Sequence, residues 1–302
     1  MRRIPGTGVL VVIALCAAGC GGSAKAPATT ARLHRHPPQG TGLTVARIGS
    51  LPQTFSKAAA VALPNGRLMV LGGYTGSGSL DTILAGPPGR LRVAGHLPQP
   101  THDAAAALVG GSVYLFGGGE TVSVPNVVRV DPRTGSAVAA PALGEPLSDL
   151  GAVAIGGGAY LVGGYTGTQF ATAILRYRGQ TVARLPTGTR YAGVAALGRT
   201  IYVAGGLTTA GAARGVYAVS LGGSVRRVAT LPAPEDHAAL AALGGTLYLV
   251  GGRRVLAIDP RSRKVSVAAR LPSSLSDPTA TTIGDMIVVT GGGTNGIWSL
   301  TR

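Results

Sequence analysis

The sequence predicts an all-β fold, a single six-bladed β-propeller of four-stranded antiparallel blades, the last blade completed by a strand from the front of the chain. Three observations predict it. LMVLGGYTG, from Leu68 to Gly76, returns as AYLVGGYTG, from Ala159 to Gly167, and weaker copies read SVYLFGG, TIYVAGG, TLYLVGG and MIVVTGG. Their first glycines, Gly72, Gly117, Gly163, Gly205, Gly251 and Gly291, recur every 40 to 46 residues, so one supersecondary unit is repeated. Each diglycine also closes a run of β-branched, aliphatic or tyrosine residues, which is strand composition. Finally, the last copy stops at GIWSLTR with no fourth strand, while a surplus strand, LTVARIGSLP from Leu43 to Pro52, precedes the first copy. Pairing the two would remove two sheet edges that otherwise invite aggregation.

Residues 1–20 are a different text. MRRIPGTGVLVVIALCAAGC carries two arginines, an apolar stretch from Gly8 to Ala18 and small residues before Cys20, the layout of a secretion signal. The apolar part is shorter than the roughly 20 residues that span a bilayer. Ala17, Ala18, Gly19 and Cys20 resemble the bacterial lipoprotein box, which places leucine where Ala17 stands. The resemblance implies cleavage before Cys20 and a lipidated thiol, hence a chain anchored on the extracytoplasmic side of the cell membrane. Without the lipid it would be secreted. Cys16 leaves with the signal, so the mature chain has no internal disulfide. Residues 21–42 are small, polar and proline-containing, as expected of a flexible tether to a body over 43–302. His34 and His36 lie in it and are too few to hold zinc.

The formal charge of +16 becomes 25 − 11 = +14 without Arg2 and Arg3. Such a surplus could attract nucleic acid, anionic lipid or acidic wall polymers. An exported chain rarely meets nucleic acid, so none is expected as a partner. Arginine beside so much alanine and glycine also fits a compositional bias. The expected partners are the membrane, through the anchor, and an envelope sugar or protein. A monomer without cofactor or metal is expected.

Within each unit a first strand of small residues comes before the diglycine strand: AAAVAL, AAAALV, GAVAI, GVAAL, AALAAL and TATTI. Alone, the alanine tracts would suggest helix, but they are too short and boxed in by turns. Small side chains are what crowding at a propeller axis requires. A polar loop follows the diglycine, then a third strand such as NVVRV from Asn126. The next turn is twice Asp-Pro, at Asp131 and Asp259, which turn chemistry explains. A fourth strand then ends in Leu-Pro at Leu97, Leu185, Leu231 and Leu271.

This order of strand, diglycine, loop, strand, DP-x-TG turn and strand resembles the kelch repeat over Leu43 to Arg302. Tyrosine three before the diglycine belongs to that pattern and stands at Tyr114, Tyr160, Tyr202 and Tyr248, with Met69 and Val288 in the remaining copies. All six are expected to be blade core. The tryptophan that usually follows the DP turn is replaced by Ala137 and Val265. A galactose-oxidase type of copper site is excluded, because its cofactor needs a cysteine joined to tyrosine.

The propeller fold places the second-to-third loops and the fourth-to-first connections on one face, around the channel mouth. About six positions before the end of each first strand stand Lys57, His102, Asp149, Tyr191, His237 and Asp277, polar residues ahead of apolar strands. Counting round the ring, His102 would face His237, Asp149 would face Asp277 and Lys57 would face Tyr191. Arg190, Asp236, Glu235 and Asp103 add charge, and the loops contribute Tyr74, Glu120, Tyr165, Arg253, Arg254 and Asn295. Carboxylates and arginine can pair with sugar hydroxyls while tyrosines offer flat faces. The expectation is a binding or scaffold module for a polar ligand. The alternative is a sugar-modifying enzyme of mutarotase or epimerase type, since six-bladed kelch proteins include an exported sialic acid mutarotase. Direct metal ligation by His102 and His237 together is not expected, because they come from opposite blades. The glycine-rich GGYTGSGS lacks the lysine and helix of a phosphate loop.

Overall fold

In the computed structural model, residues 42–302 are described and form six antiparallel sheets arranged as blades, with a small two-stranded hairpin of Leu207–Thr208 and Gly211–Ala212 beside them. The predicted signal, Cys20 and nearly all of the tether lie outside these residues. Blade 1 comprises Ala59–Leu63, Arg67–Leu71, Leu80–Gly86 and Arg92–Thr101. Blade 2 comprises Ala105–Val109, Ser112–Phe116, Val127–Val130 and Ala137–Ala140. Blade 3 comprises Gly151–Ile155, Gly158–Val162, Ala173–Arg176 and Thr181–Arg184. Blade 4 comprises Gly193–Leu197, Thr200–Ala204, Gly215–Ser220 and Val225–Thr230. In blade 5 the middle strands run together as Thr246–Ile258, whose first half pairs with Ala239–Leu243 and whose second half pairs with Val265–Leu275. Blade 6 comprises Pro278–Ile283, Met286–Gly291, Thr294–Thr301 and, as its outer strand, Thr44–Phe55.

The closure is thus the expected one. Thr44 pairs with Thr301 and the register runs on to Ser50 opposite Gly296. The alanine tracts are strands. Among the described residues the helical structure is a single 3-10 turn at Pro64–Gly66.

The hydrophobic core is divided between the blades rather than within them. Six clusters of buried side chains each join two neighbouring blades, from Leu97 with Leu115 between blades 1 and 2 to Phe55 and Ile297 with Leu68 between blades 6 and 1. A sheet is apolar on both faces only if it is covered on both, and in a ring every blade is. Of the tyrosine-position residues, Met69, Tyr160, Tyr248 and Val288 are buried, while Tyr114 and Tyr202 are half-buried. Each is the third residue of its strand.

Three fourth strands run past their Leu-Pro pair instead of ending there, through Pro52, Pro98 and Pro272. Proline is tolerated because these are the outermost strands, where a missing N–H breaks no ladder. In blades 3 and 4 the strand does stop just before Leu185 and Leu231.

The diglycine has a packing cause. The second glycine donates its N–H to the carbonyl at the end of the same blade: Gly73 to Thr101 (2.9 Å), Gly118 to Leu147 (2.9 Å), Gly164 to Thr189 (2.8 Å) and Gly206 to Glu235 (2.9 Å). At Gly117 the backbone is left-handed, with φ 61, and a Cβ would collide with the Leu147 carbonyl oxygen. Only glycine meets both demands.

Candidate functional site

Where each fourth-to-first connection turns inward, one residue stands in the left-handed region: Lys57, Asp103, Asp149, Tyr191, His237 and Asp277, with φ between 52 and 58. None is glycine. Such residues cost on the order of 1–3 kcal/mol each and persist only where the surroundings over-determine them. Here a belt of backbone bonds does so. Asp103 donates its N–H to Lys57 (3.0 Å), Asp149 to Asp103 (2.7 Å), Tyr191 to Asp149 (3.0 Å), Asp277 to His237 (2.9 Å) and Lys57 to Asp277 (3.1 Å). At the remaining junction the Tyr191 and His237 rings stack, 4.0 Å between centroids.

The second position of this ring is Asp103, not His102 as counting along the sequence suggested. Strand Ala105–Val109 extends to Val109, which pairs with Ser112 across the Gly110–Gly111 turn, and this shifts the ring position by one residue. His102 is displaced toward the loops, where its ring lies 5.0 Å from that of Tyr74 and its Nδ1 is 2.8 Å from Ser79 Oγ. Across the axis, Lys57 does face Tyr191, with Nζ 5.5 Å from the ring centroid.

The ring side chains pair mainly with their neighbours. Lys57 Nζ is 3.0 Å from Asp103 Oδ2, and His237 Nδ1 is 2.6 Å from Asp277 Oδ1. Arg190 Nε lies 2.9 Å from Asp149 Oδ2, an ionic contact outside good hydrogen-bond alignment. The Arg190 guanidinium also covers the rings of Tyr165 and Tyr191, at 4.9 and 4.4 Å. Phe170 completes this stack, and nothing in the sequence pattern had marked it.

Burial and neighbours set the protonation of the ring. Burial, reinforced by the Asp103 charge, raises Asp149 to about 6 despite Arg190. Burial likewise raises Asp103, with Lys57 opposing. Burial works against the Lys57 ammonium, but Asp103, Tyr191 and Asp277 outweigh it and hold the group above its ordinary value. Burial and the two aspartates push Tyr191 to about 12. The hydrogen bond to Asp277 raises His237, whereas burial and the Lys57 charge lower His102.

Two cavities meet at this ring. One, of about 180 Å³, runs along the axis, ringed at its mouth by the six residues and walled by Ala59, Ala105, Ala152, Val194 and their equivalents. The other, of about 400 Å³, opens off-axis over blades 2 to 4 and is lined by Lys57, His102, Glu120, Asp149, Tyr165, Arg190 and Tyr191. Of the remaining expected residues, Tyr74 packs on His102 and Asn295 accepts from Arg47. Arg253 is exposed and lines neither cavity, and neighbouring Arg254 is bound to Glu235 at 2.7 Å. Among the described residues, no three His, Cys, Asp or Glu side chains converge as a metal site, and no helix is long and apolar enough to cross a membrane.

Fold and site together define a six-bladed β-propeller with a polar, side-chain-ringed channel mouth. No family model matches the chain, and no curated protein matches it in sequence. Among solved structures it is similar to that of YjhT, with a TM-score of 0.72 and 15% identity, covering 84% of this chain and 95% of that one. At that identity the likeness speaks for the propeller fold alone.

Proposed function

We propose that the chain is a kelch-type binding module of the extracytoplasmic envelope, anchored through Cys20, and that its off-axis mouth cavity takes a neutral polyhydroxylated ligand, a carbohydrate by chemistry. The observation that carries this reading is the lining of the cavity. Both of its cations, Lys57 and Arg190, are already matched by Asp103 and Asp149, and the remaining carboxylate is Glu120, so the lining offers an anion no unmatched lysine or arginine. What remains is a set of donors and acceptors, Glu120, Thr121, Ser123 and Ser148 among them, and that suits the hydroxyls of a sugar, while the Tyr165 and Tyr191 rings are already covered by Arg190 and stiffen the wall. Calorimetric titration with neutral and acidic oligosaccharides tests it. Binding should favour the neutral ones and weaken at least tenfold in Arg190→Gln, which loses a charge-assisted donor. Binding untouched by that change would place the site elsewhere.

A second reading has its own support. His237 hydrogen-bonded to Asp277 and a carboxyl at Asp149 titrating near 6 are a base and an acid on one rim, as proton transfer at a sugar would need. If the module is an enzyme, Asp149→Asn and Asp277→Asn abolish turnover and largely keep binding.

A further inference from the structure

The first-to-second and third-to-fourth turns lie on the face away from the mouth, and charge is segregated between the two faces. Arg90, Arg133, Arg178, Arg199, Arg226 and Arg263 stand at or beside these turns in five consecutive blades, all exposed. Of the 11 acidic residues, only Asp131, Asp259 and Asp285 are on that face, and the first two are turned onto the N–H groups of their own turns. On the mouth side Lys57, Arg190 and Arg254 are each paired with a carboxylate and Arg214 is held by the Leu231 and Pro232 carbonyls, which leaves Arg253 exposed there. Among the described residues none of the six arginines forms an ion pair with a carboxylate. Compositional bias would scatter arginine over both faces and leave acids beside it; it does not account for the separation.

The chain joins the propeller on this same face. Leu43 donates its N–H to Ala268 (2.9 Å), and Thr44 begins its strand opposite Thr301. From Cys20 to Gly42 there are 22 residues, which reach roughly 75 Å at most when fully extended. An unpaired basic face at the point of attachment is complementary to a negatively charged lipid surface. We infer that the arginine-rich face of the propeller docks on anionic phospholipid membrane, which turns the channel mouth outward. The contact is electrostatic and does not need an acyl chain on Cys20.

The test uses the mature chain from residue 20 onward carrying Cys20→Ser, so that neither the apolar stretch Gly8 to Ala18 nor a lipid contributes. Its sedimentation is measured with vesicles of phosphatidylcholine alone and of phosphatidylcholine mixed with phosphatidylglycerol. The protein should bind only the anionic vesicles and be released by about 0.5 M salt, at which surface charges are screened within a few ångströms. Each arginine near such a surface is worth about fivefold in affinity, so Arg133→Ser, Arg178→Ser and Arg226→Ser together should weaken binding roughly 100-fold. Arg253→Ser, on the mouth side, should change it by less than about twofold. Equal binding to both vesicles, no binding to either, or a triple variant that binds like its parent would overturn the inference. Tighter binding to a DNA duplex than to anionic vesicles would also overturn it, since the face would then read polyanions in general.

Discussion

Phe55→Ala would show whether the ring is held shut by the first strand. Phe55 is 2% exposed and lies where Thr44–Phe55 leaves blade 6 for blade 1. It belongs, with Leu51, Leu68, Val70 and Ile297, to the cluster that joins the last blade to the first. The backbone glycines on either side press on it: a Cβ at Gly73 or Gly291 would approach the ring to 3.3 and 3.4 Å. Its carbonyl accepts from Gly293 at 3.1 Å. A pocket walled by backbone collapses poorly, so truncation should cost the full range of about 3–5 kcal/mol for buried Phe→Ala. For a body of this size each kcal/mol moves the melting midpoint by about 2–4 °C, so the expected drop is roughly 6–20 °C. Thermal unfolding followed by circular dichroism and calorimetry measures it. Val93→Ala, on an outer strand and 58% exposed, is the reference and should stay within about 0.5 kcal/mol. If the two variants melt together, the first strand is an appendage and the ring does not depend on it.

Two further outcomes follow from the ring and the diglycines. Asp149 titrates near 6 in the folded chain and near its ordinary 3.8 when unfolded, so between these values the folded state binds more protons. Its contribution to stability therefore falls as pH rises from about 4 to 6; urea unfolding across that range should show a shallower decline in Asp149→Asn, and identical slopes would refute the buried carboxyl. Gly117→Ala and Gly110→Ala impose the same left-handed strain, φ 61 and 57, but only the first meets a carbonyl oxygen. Urea midpoints should place Gly110→Ala about 1 kcal/mol below the parent and Gly117→Ala a further 1–3 kcal/mol lower; equal losses would mean that the close approach to Leu147 carries no weight.

The architecture was legible because repetition multiplies a weak signal. No one of the runs ending at Gly72, Gly117 or Gly205 proves a strand, but six in register do, and Leu43 to Pro52 was recognisable as the missing strand by subtraction. Where the strands stop was harder to read. Whether the tract Ala104 to Val109 ends at Leu108 or Val109 depends on its cross-strand partner, Ser112, and that choice moves His102 off the ring and puts Asp103 on it. Likewise Leu-Pro looks like a stop, but on an outer strand Pro98 interrupts nothing. The pairing at the mouth was legible only across the axis, where counting blades set Lys57 opposite Tyr191. Arg190 over Tyr165 and Phe170 unites residues from neighbouring repeats, and no spacing along the chain encodes which side chain of one blade leans on the next.

The borrowed outer strand also reverses the order in which the molecule is made and finished. Its segment leaves the ribosome before the other strands of the ring, but its partner, Thr294–Thr301, follows only after the intervening residues 56–293. At about 5–20 residues per second the wait is on the order of 10–50 s. Until then the circle has a gap and an exposed strand edge, which a holding chaperone or transport in an unfolded form would need to shield. The mouth is therefore assembled only on chains in which Thr294–Thr301 has been synthesised, and a partner that reads it tells these from chains cut short before that strand.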